Sequence, residues 1–386
     1  MKPISDISTM KKPLLLTLLA ILLLQACNSD SSTTSNADTY VPYFVLKDSL
    51  VIDHLGPLGI LDYHKPSNSF LMFNRQKNDL LIVSGDGNVL VEANRSEPGP
   101  DSYKIGNFLR AQFSAIGNVV VNTGKQEYIY NRDLKLIENR EVTVNQYSVV
   151  FGGSNSYQIL EDYTFLFGLF DDEREGLSSE ELKAQLWELP LLKIFDHTTN
   201  ELVSEANLPK NTTMRKAPGD YTNVAPYIVV KDNKAYFLYI ISPEIYITSW
   251  PELELLDTVA LNPELEFTQM KPATNNPIER FFEMVIGSSF GSMHLSGDYI
   301  VTRYSSGVSR NEVDKLSREV IGGEDFMNLQ RSKFYVYQIF KGKEKIWEGR
   351  RDFNISFLDD LAYATVKPGE EYTEKDQTVF YFYSLE

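Results

Sequence analysis

Apolar residues along this chain fall in short runs with two-residue alternation, and the runs are bounded by Gly, Asn, Asp and Pro. Such alternation predicts β-strands, and aromatic and β-branched side chains at these positions suit strands better than helices. Six runs each follow a short turn: Ser69-Phe70-Leu71-Met72-Phe73, Asn118-Val119-Val120-Val121, Tyr163-Thr164-Phe165-Leu166-Phe167, Ala235-Tyr236-Phe237-Leu238-Tyr239, Tyr299-Ile300-Val301-Thr302 and Ala362-Tyr363-Ala364-Thr365-Val366. After a gap, five of the six are followed by a predicted hairpin. Leu80-Leu81-Ile82-Val83 turns at Gly85-Asp86-Gly87-Asn88 into Val89-Leu90-Val91, and Tyr128-Ile129-Tyr130 turns at Asn131-Arg132-Asp133 into Leu134-Lys135-Leu136-Ile137. Three further hairpins join Leu192-Lys193-Ile194-Phe195 to Glu201-Leu202-Val203, Ile245-Tyr246-Ile247 to Leu253-Glu254-Leu255-Leu256, and Phe334-Tyr335-Val336-Tyr337-Gln338-Ile339 to Lys345-Ile346-Trp347. The sixth copy, Val379-Phe380-Tyr381-Phe382-Tyr383, runs to the C-terminus with no return strand. An unpaired strand, Tyr43-Phe44-Val45-Leu46, opens the domain.

That mismatch predicts a ring. If the first strand completes the last sheet, two exposed sheet edges disappear. The expected fold is therefore all-β: a six-bladed β-propeller over residues 40–386, closed by the N-terminal strand and carrying short helical insertions. A two-sheet sandwich or an irregular barrel would use similar strands. The repeat spacing of about 45 to 70 residues favours the propeller, since one four-stranded blade takes about 40 to 50.

Residues 1–26 read as a signal peptide. Lys2, Lys11 and Lys12 precede an apolar run from Leu14 to Leu24 that ends in Leu24-Gln25-Ala26-Cys27. The run is short for a membrane span, which needs about 20 apolar residues. The Leu-x-small-Cys ending resembles the lipobox of bacterial lipoproteins, which implies a diacylglycerol on Cys27. Cys27 is the only cysteine, so no internal disulfide is available to the exported chain. Residues 27–39 then form the lipidated cysteine and a flexible tether, because Ser, Thr, Asn and Asp without large apolar residues cannot bury enough surface to fold. Asn28 rather than Asp follows Cys27, which by resemblance to enterobacterial sorting rules points to the outer membrane. The sequence does not say on which side.

Beyond the leader, the lipobox, the length, the six repeats and the loop Glu97-Pro98-Gly99-Pro100-Asp101-Ser102-Tyr103 resemble a Bacteroidota lipoprotein family of unknown function with a six-bladed, TolB-like propeller. That resemblance covers residues 40–386 and brings no catalytic residues with it. A partial echo at Ala217-Pro218-Gly219-Asp220-Tyr221 reads as a repeated inter-blade turn.

Charge and motifs narrow the chemistry. The formal net charge is −16, and removing the leader, whose three lysines outnumber Asp6, makes the remainder more acidic still. Such a surface repels phosphate backbones, so nucleic acid is not an expected partner. The four histidines, His54, His64, His197 and His294, show no metal-ligand spacing. The run Asp171-Asp172-Glu173 lacks calcium-loop spacing and reads as a solvated charge cluster. Gly287-Ser288-Ser289-Phe290-Gly291 matches a nucleophile elbow in letters only, since Met293, His294 and Leu295 continue it as a strand and leave no room for the acid of a hydrolase triad. No metal and no cofactor are expected.

Connections alternate between the two ends of an antiparallel blade, so loop lengths predict where binding would occur. One class is uniformly short, as at Asp232-Asn233, Ser296-Gly297-Asp298 and Lys341-Gly342-Lys343. The other class holds the long segments: 94–107, 139–156, 208–223 and 261–284 between blades, with 171–189, 305–332 and 367–376 within them. Two helices are expected there, one opened by the capping box Ser178-x-x-Glu181 and one by Ser309-x-x-Glu312, the second stopping at Gly322-Gly323. Long loops on a rigid scaffold commonly carry function. The expected activity is therefore binding of a protein, peptide or glycan on the long-loop face, with Arg95, Tyr103, Arg140, Tyr147, Arg215, Lys216, Tyr221, Lys271 and Arg280 as candidate contacts. The alternative is a glycan-cleaving enzyme with paired carboxylates, for which Asp101, Asp220 and Glu279 are the first candidates. The only membrane contact expected is through the lipid.

One outcome follows from the leader alone. Cys27→Ala should release the protein from the membrane fraction without changing its melting temperature, because residues 27–39 supply nothing to a core. Fractionation together with thermal unfolding of the variant checks both halves.

Overall fold

A strand that is apolar on both faces must be covered on both faces. Leu80, Leu81, Ile82 and Val83 are four such consecutive positions, and stacking whole sheets face to face is one way to bury them all. The computed structural model describes residues 43–386 apart from 104–107, 124–125, 142–152, 170–175, 177, 179–180, 183–184, 222–223, 274–276, 317–322, 352–353, 359–360 and 368–376. The leader, Cys27, the tether, Tyr147 and the run Asp171-Asp172-Glu173 lie outside these described residues. Pro42–Glu386 forms a single unit.

Six four-stranded antiparallel sheets make a six-bladed β-propeller. The chain opens with β1 (Phe44–Ile52) and then lays down blade 1 as β2 (Leu58–His64), β3 (Ser69–Asn74), β4 (Asp79–Ser84) and β5 (Val89–Asn94). Blade 2 is β6 (Arg110–Phe113), β7 (Val119–Asn122), β8 (Gln126–Tyr130) and β9 (Leu136–Glu141). Blade 3 is β10 (Tyr157–Leu160), β11 (Tyr163–Phe167), β12 (Leu192–Asp196) and β13 (Leu202–Ala206). Blade 4 is β14 (Pro226–Lys231), β15 (Lys234–Tyr239), β16 (Glu244–Ser249) and β17 (Leu255–Ala260). Blade 5 is β18 (Ser289–Ser296), β19 (Tyr299–Ser305), β20 (Tyr335–Lys341) and β21 (Glu344–Arg350). Blade 6 is β22 (Ser356–Leu358), β23 (Leu361–Ala364) and β24 (Thr378–Leu385), with β1 as its outermost strand. The clasp expected from the strand count is thus present, and β1 pairs with β24 from Phe44↔Leu385 to Ile52↔Thr378.

Every junction between blades holds its own apolar cluster. Leu80 and Ile82 pack toward blade 2 with Val119, Val121 and Tyr130. Leu81 and Val83, one position out of phase, pack toward blade 6 with Leu50, Ile52 and Phe380. The same two-sided arrangement produces the clusters between blades 2 and 3, 3 and 4, 4 and 5, and 5 and 6. Polar seams reinforce these contacts at the outer edge, where the end of one blade meets the third-to-fourth strand turn of the next. Arg95 donates from Nε to the Leu134 carbonyl at 2.7 Å, and Arg140 from Nη2 to the His197 carbonyl at 2.7 Å. Ser204 donates to the Pro251 carbonyl at 2.5 Å, and Lys343 pairs with Asp257 at 2.5 Å.

Turn chemistry follows backbone sterics. Asp232 and Asn233, both at positive φ, form the two-residue turn between β14 and β15 that matches strand twist. Gly87 has φ +87°, and a Cβ there would sit 2.1 Å from the Val51 carbonyl oxygen of the clasp. Two return strands begin later than the apolar pattern suggests. Leu134 and Leu253 occupy left-handed turn positions, with φ 55° and 62°, and are buried there. Burial of a leucine offsets the strain of a conformation that Asn or Gly would adopt more easily.

The helical insertions match the sequence in part. Ser178 and Glu181 form the reciprocal box, with Ser178 N–H donating to Glu181 Oε2 at 2.9 Å and Glu181 N–H to Ser178 Oγ at 3.2 Å. The second expected helix is shorter, Arg310–Val313, and Ser309 makes no side-chain cap. Gly323, expected to stop a helix, starts one instead, preceding Glu324–Ser332. Inside the segment 261–284, expected as loop, Pro277–Ile286 begins as a helix. Phe282, Val285 and Ile286 pack against Val308, Val313 and Phe326, which explains why both insertions are helical.

Closure by β1 makes two truncations unequal. Removing residues 40–52 should destabilise the domain by several kcal/mol, since Leu50 and Ile52 leave a buried cluster and large-to-small core changes alone cost about 2 to 5 kcal/mol each. Removing residues 28–39 should leave urea unfolding unchanged. Matching midpoints for the two truncations would contradict the clasp.

Candidate functional site

The first strand of each blade runs toward the short-turn end, because it is entered from an inter-blade connection and left through a short turn. Five of these strands end around one cavity of about 730 Å³. Its wall comprises residues 62–66 of blade 1, 112–115 of blade 2, 159–161 of blade 3, 229–231 of blade 4 and 295–297 of blade 5. The cavity is thus the mouth of the central channel at the short-turn end. That is the end opposite to the one favoured by loop length.

Polar side chains tie the wall together. Asp62 is buried, with Oδ2 accepting the Phe113 N–H at 2.5 Å and Oδ1 accepting the Tyr63 N–H at 2.9 Å. Gln112 bridges to blade 3, its Oε1 accepting the Ile159 N–H at 2.9 Å. Lys231 donates to the Gly297 carbonyl at 3.1 Å, joining blades 4 and 5. His64 lies against the Phe113 ring at 5.5 Å, contacts Ser67 Oγ at 2.7 Å and reaches the Ala115 carbonyl at 3.3 Å. His294 stacks on Phe357 at 4.9 Å between blades 5 and 6. The lining therefore mixes fixed backbone groups with Tyr63, Ile159, Val229 and Val230. Its carboxylates and lysines, Asp62 and Glu161 against Lys65 and Lys231, balance in number despite an acidic chain.

The candidates on the long-loop side have structural engagements. Tyr103 and Tyr221 are interior side chains, which removes them as surface platforms. Tyr103 joins the cluster between blades 1 and 2, and Tyr221 the cluster between blades 3 and 4. Tyr221 donates its hydroxyl to the Ala217 carbonyl at 2.6 Å, and burial pushes that phenol up to about 12. The two Pro-Gly loops are thus equivalent inter-blade turns that each deliver a tyrosine to the core. Arg95 and Arg140 form the seams described above, and Arg140 also pairs with Glu127 at 2.6 Å. Arg215 pairs with Glu188 and donates to the Leu208 carbonyl at 2.7 Å. Arg280 pairs with Asp220 at 3.2 Å, and Lys216 with Glu244 at 3.3 Å. Lys271 is exposed.

The candidate carboxylates have similar engagements. Asp101 accepts the Leu136 N–H at 3.1 Å and faces Arg95 at 3.7 Å, while Asp220 holds Arg280. Glu279 lies at the start of the Pro277–Ile286 helix. Ser289 of the elbow-like motif begins β18, in extended strand. Among the described residues, no group of three or more His, Cys, Asp or Glu side chains could hold a metal ion.

No protein-family model matches the chain, and no curated protein matches it. Solved structures do. A member of the DUF4221 family from Bacteroides vulgatus superposes with a TM-score of 0.60 at 12% identity, covering 89% of this chain and 98% of that one. This chain has the fold of that protein. A protein from Bacteroides fragilis, described as exported, matches with a TM-score of 0.50 at 12% identity, over 92% of this chain and 98% of that one. At such identity the likeness speaks for the fold, and it agrees with the Bacteroidota propeller that the sequence resembles.

Signals for the cavity were present but weak. Asp62, Gln112 and Lys231 are polar residues in or at the ends of apolar runs, and the innermost strands that carry them are the ones the sequence marks least. Asp62→Ala should cost about 1 to 3 kcal/mol, the penalty for leaving a buried N–H unpaired. Asp86→Ala, in an exposed turn, should cost less than about 0.5 kcal/mol. Urea unfolding of the two variants distinguishes a structural carboxylate from a dispensable one.

Proposed function

We propose that this chain is an envelope lipoprotein, anchored through Cys27, whose propeller binds a protein segment, peptide or glycan at the short-turn mouth of its central channel. The observation that carries this reading is the cavity. Its volume of about 730 Å³ falls in the range of about 300 to 1,000 Å³ typical of small-ligand sites. It is bounded by strands from five blades, so the lining is held by the whole ring and needs little reorganisation on binding.

The chemistry favours recognition over turnover. Asp62 accepts two backbone N–H groups, which engages both its oxygens in holding blades 1 and 2 together. Asp101 and Asp220 are occupied by an arginine each. A mixed, nearly neutral lining suits a short uncharged glycan or an extended peptide, whose hydroxyl or amide groups would meet the carbonyls and polar side chains of the wall. Export fits both the leader and the Bacteroides fragilis neighbour, which is described as exported. Placement at the outer membrane rests on Asn28.

Ala115 lies at the rim of the cavity and is exposed, so Ala115→Trp should narrow the mouth without disturbing the core. Thermal shift against a panel of short oligosaccharides and peptides tests the site. A cognate ligand at 100-fold excess over its dissociation constant should raise the melting temperature of the wild type by about 3 to 4 °C. The variant should lose that rise. An equal rise in both proteins would move the binding site off the cavity.

A further inference from the structure

The outermost strand of every blade carries a bulge near its short-turn end, just after its first residue in blades 1 to 4. In blade 1, Ile82 pairs with Val91 and Val83 with Val89, so Leu90 is the extra residue. Ile137, Val203, Leu256 and Ile346 are the extra residues in blades 2 to 5 by the same shift of register. In blade 6 the shift falls between Leu46 and Asp48 of the clasp, which makes Lys47 the equivalent position. Bulges re-aim side chains and blunt exposed edges, and a polar residue would do either in water. Five of the six positions are aliphatic instead. Leu90 is 58% exposed, Ile137 57%, Leu256 52% and Val203 45%, while Ile346 is partly buried.

The neighbouring positions sharpen the contrast. Leu46, Val89, Leu202 and Leu255, each directly before a bulged residue, are also exposed. Further along the same strands, the exposed positions carry Glu92, Glu138, Asn139 and Glu205. On the outer strands of blades 1 to 4, the large exposed aliphatic side chains therefore gather at the short-turn ends. Equivalent positions in successive blades of a propeller lie in one plane around its axis. Blades 1 to 4 thus present a coplanar arc of apolar side chains.

The point at which the chain enters the domain identifies what covers this arc. β1 runs antiparallel to β24 and begins at the short-turn end, where Tyr43 and Glu386 exchange backbone hydrogen bonds of 2.8 and 3.0 Å. Leu46 and Lys47 are the blade-6 equivalents of Val89 and Leu90, so the domain begins, at Tyr43, in the plane of the arc itself. Sixteen residues, 27–42, run from the lipobox cysteine to the position before Tyr43. We propose that this rim of the short-turn end seats on the lipid bilayer that holds the anchor, with Leu90, Ile137, Val203 and Leu256 dipping into the boundary between headgroups and acyl chains. Partial insertion of aliphatic side chains beside a lipid anchor adds apolar burial that a single tether lacks. This inference rests on the anchoring part of the functional reading, and it would turn the channel mouth toward ligands carried at that surface.

The test does not depend on acylation. The chain from Cys27 onward, expressed without its leader, has one thiol and can be coupled through it to a maleimide lipid in phosphatidylethanolamine–phosphatidylglycerol vesicles. Amide hydrogen exchange at residues 89–91, 136–138, 202–204 and 255–257 should slow by about tenfold on coupling. Leu90→Asp combined with Leu256→Asp should abolish the slowing without lowering the melting temperature, and Leu55→Asp with Leu265→Asp, at the long-loop end, should not. Unchanged exchange at the rim, or slowing confined to the long-loop end, overturns the proposal. So does equal slowing in uncoupled protein at the same concentration, which would mean that a second copy covers the arc. Failure of the anchor itself would be seen separately, as an unmodified Cys27 in the mass of the protein isolated from its native membrane.

Discussion

Pairing of β1 with β24 is the constraint on which the rest of this structure depends. A linear stack of five complete blades and one three-stranded sheet would leave two apolar faces open to water. The clasp adds the missing strand and brings blade 6 onto blade 1, burying Leu50 and Ile52 against Phe70, Met72 and Leu81. Because the ends of the chain meet only after all six blades are in order, closure links residues more than 300 positions apart in sequence. Its entropic cost is repaid by two buried faces rather than by one hydrogen-bonded edge. Gly87 shows how tight the seam is, since blade 1 approaches the clasp so closely that no Cβ fits beside the Val51 carbonyl.

Ring closure also explains the polar seams. Six wedge-shaped blades around an axis separate as they move outward, so apolar packing alone weakens toward the circumference. Arg95, Arg140, Ser204 and Lys343 bridge that gap by reaching a carbonyl or a carboxylate on the adjoining blade. Glu348 does similar work between the outer strand of blade 5 and the connection before it. It accepts the N–H groups of Glu264 and Leu265 at 2.7 and 2.8 Å and the Tyr304 hydroxyl at 2.7 Å. Burial raises its pKa, but the hydrogen bonds from Lys345, Gln338, Tyr304 and the Glu264 amide outweigh that and hold it at about 2. Its stabilising contribution is complete above the ordinary glutamate range and is lost only as pH falls toward 2.

Most of the architecture was legible because the middle strands of each blade are buried on both faces. Such strands are nearly continuous apolar runs, and runs such as Leu80–Val83 or Tyr163–Phe167 cannot be mistaken for solvated loop. The innermost strands were harder to read. β6 carries Arg110 and Gln112, β10 carries Gln158, and β2 carries Asp62, because their neighbours line a channel or meet the adjoining strand through hydrogen bonds. Polar residues there reduce the periodic signal on the strands that build the cavity. The helices Pro277–Ile286 and Glu324–Ser332 were hidden for another reason: their apolar faces pack on each other, so neither segment shows a partner in its own stretch of sequence.

Loop length pointed to one end of the propeller and the cavity lies at the other, and the reason is geometric. Inter-blade connections travel from the circumference back to the axis, and those into blades 2 to 5 are longer than the five residues that suffice for blades 1 and 6 because they also carry residues that pack on the ring. Tyr103 and Tyr221 do so from their Pro-Gly turns, between blades 1 and 2 and between blades 3 and 4. The short turns at the opposite end have no such distance to cover and leave the channel mouth open. In a closed propeller, loop length therefore reflects packing on the ring as readily as binding. The better indicator of a binding surface is chemistry that the ring does not consume, and here both the open cavity and the exposed bulged aliphatics fall at the short-turn end.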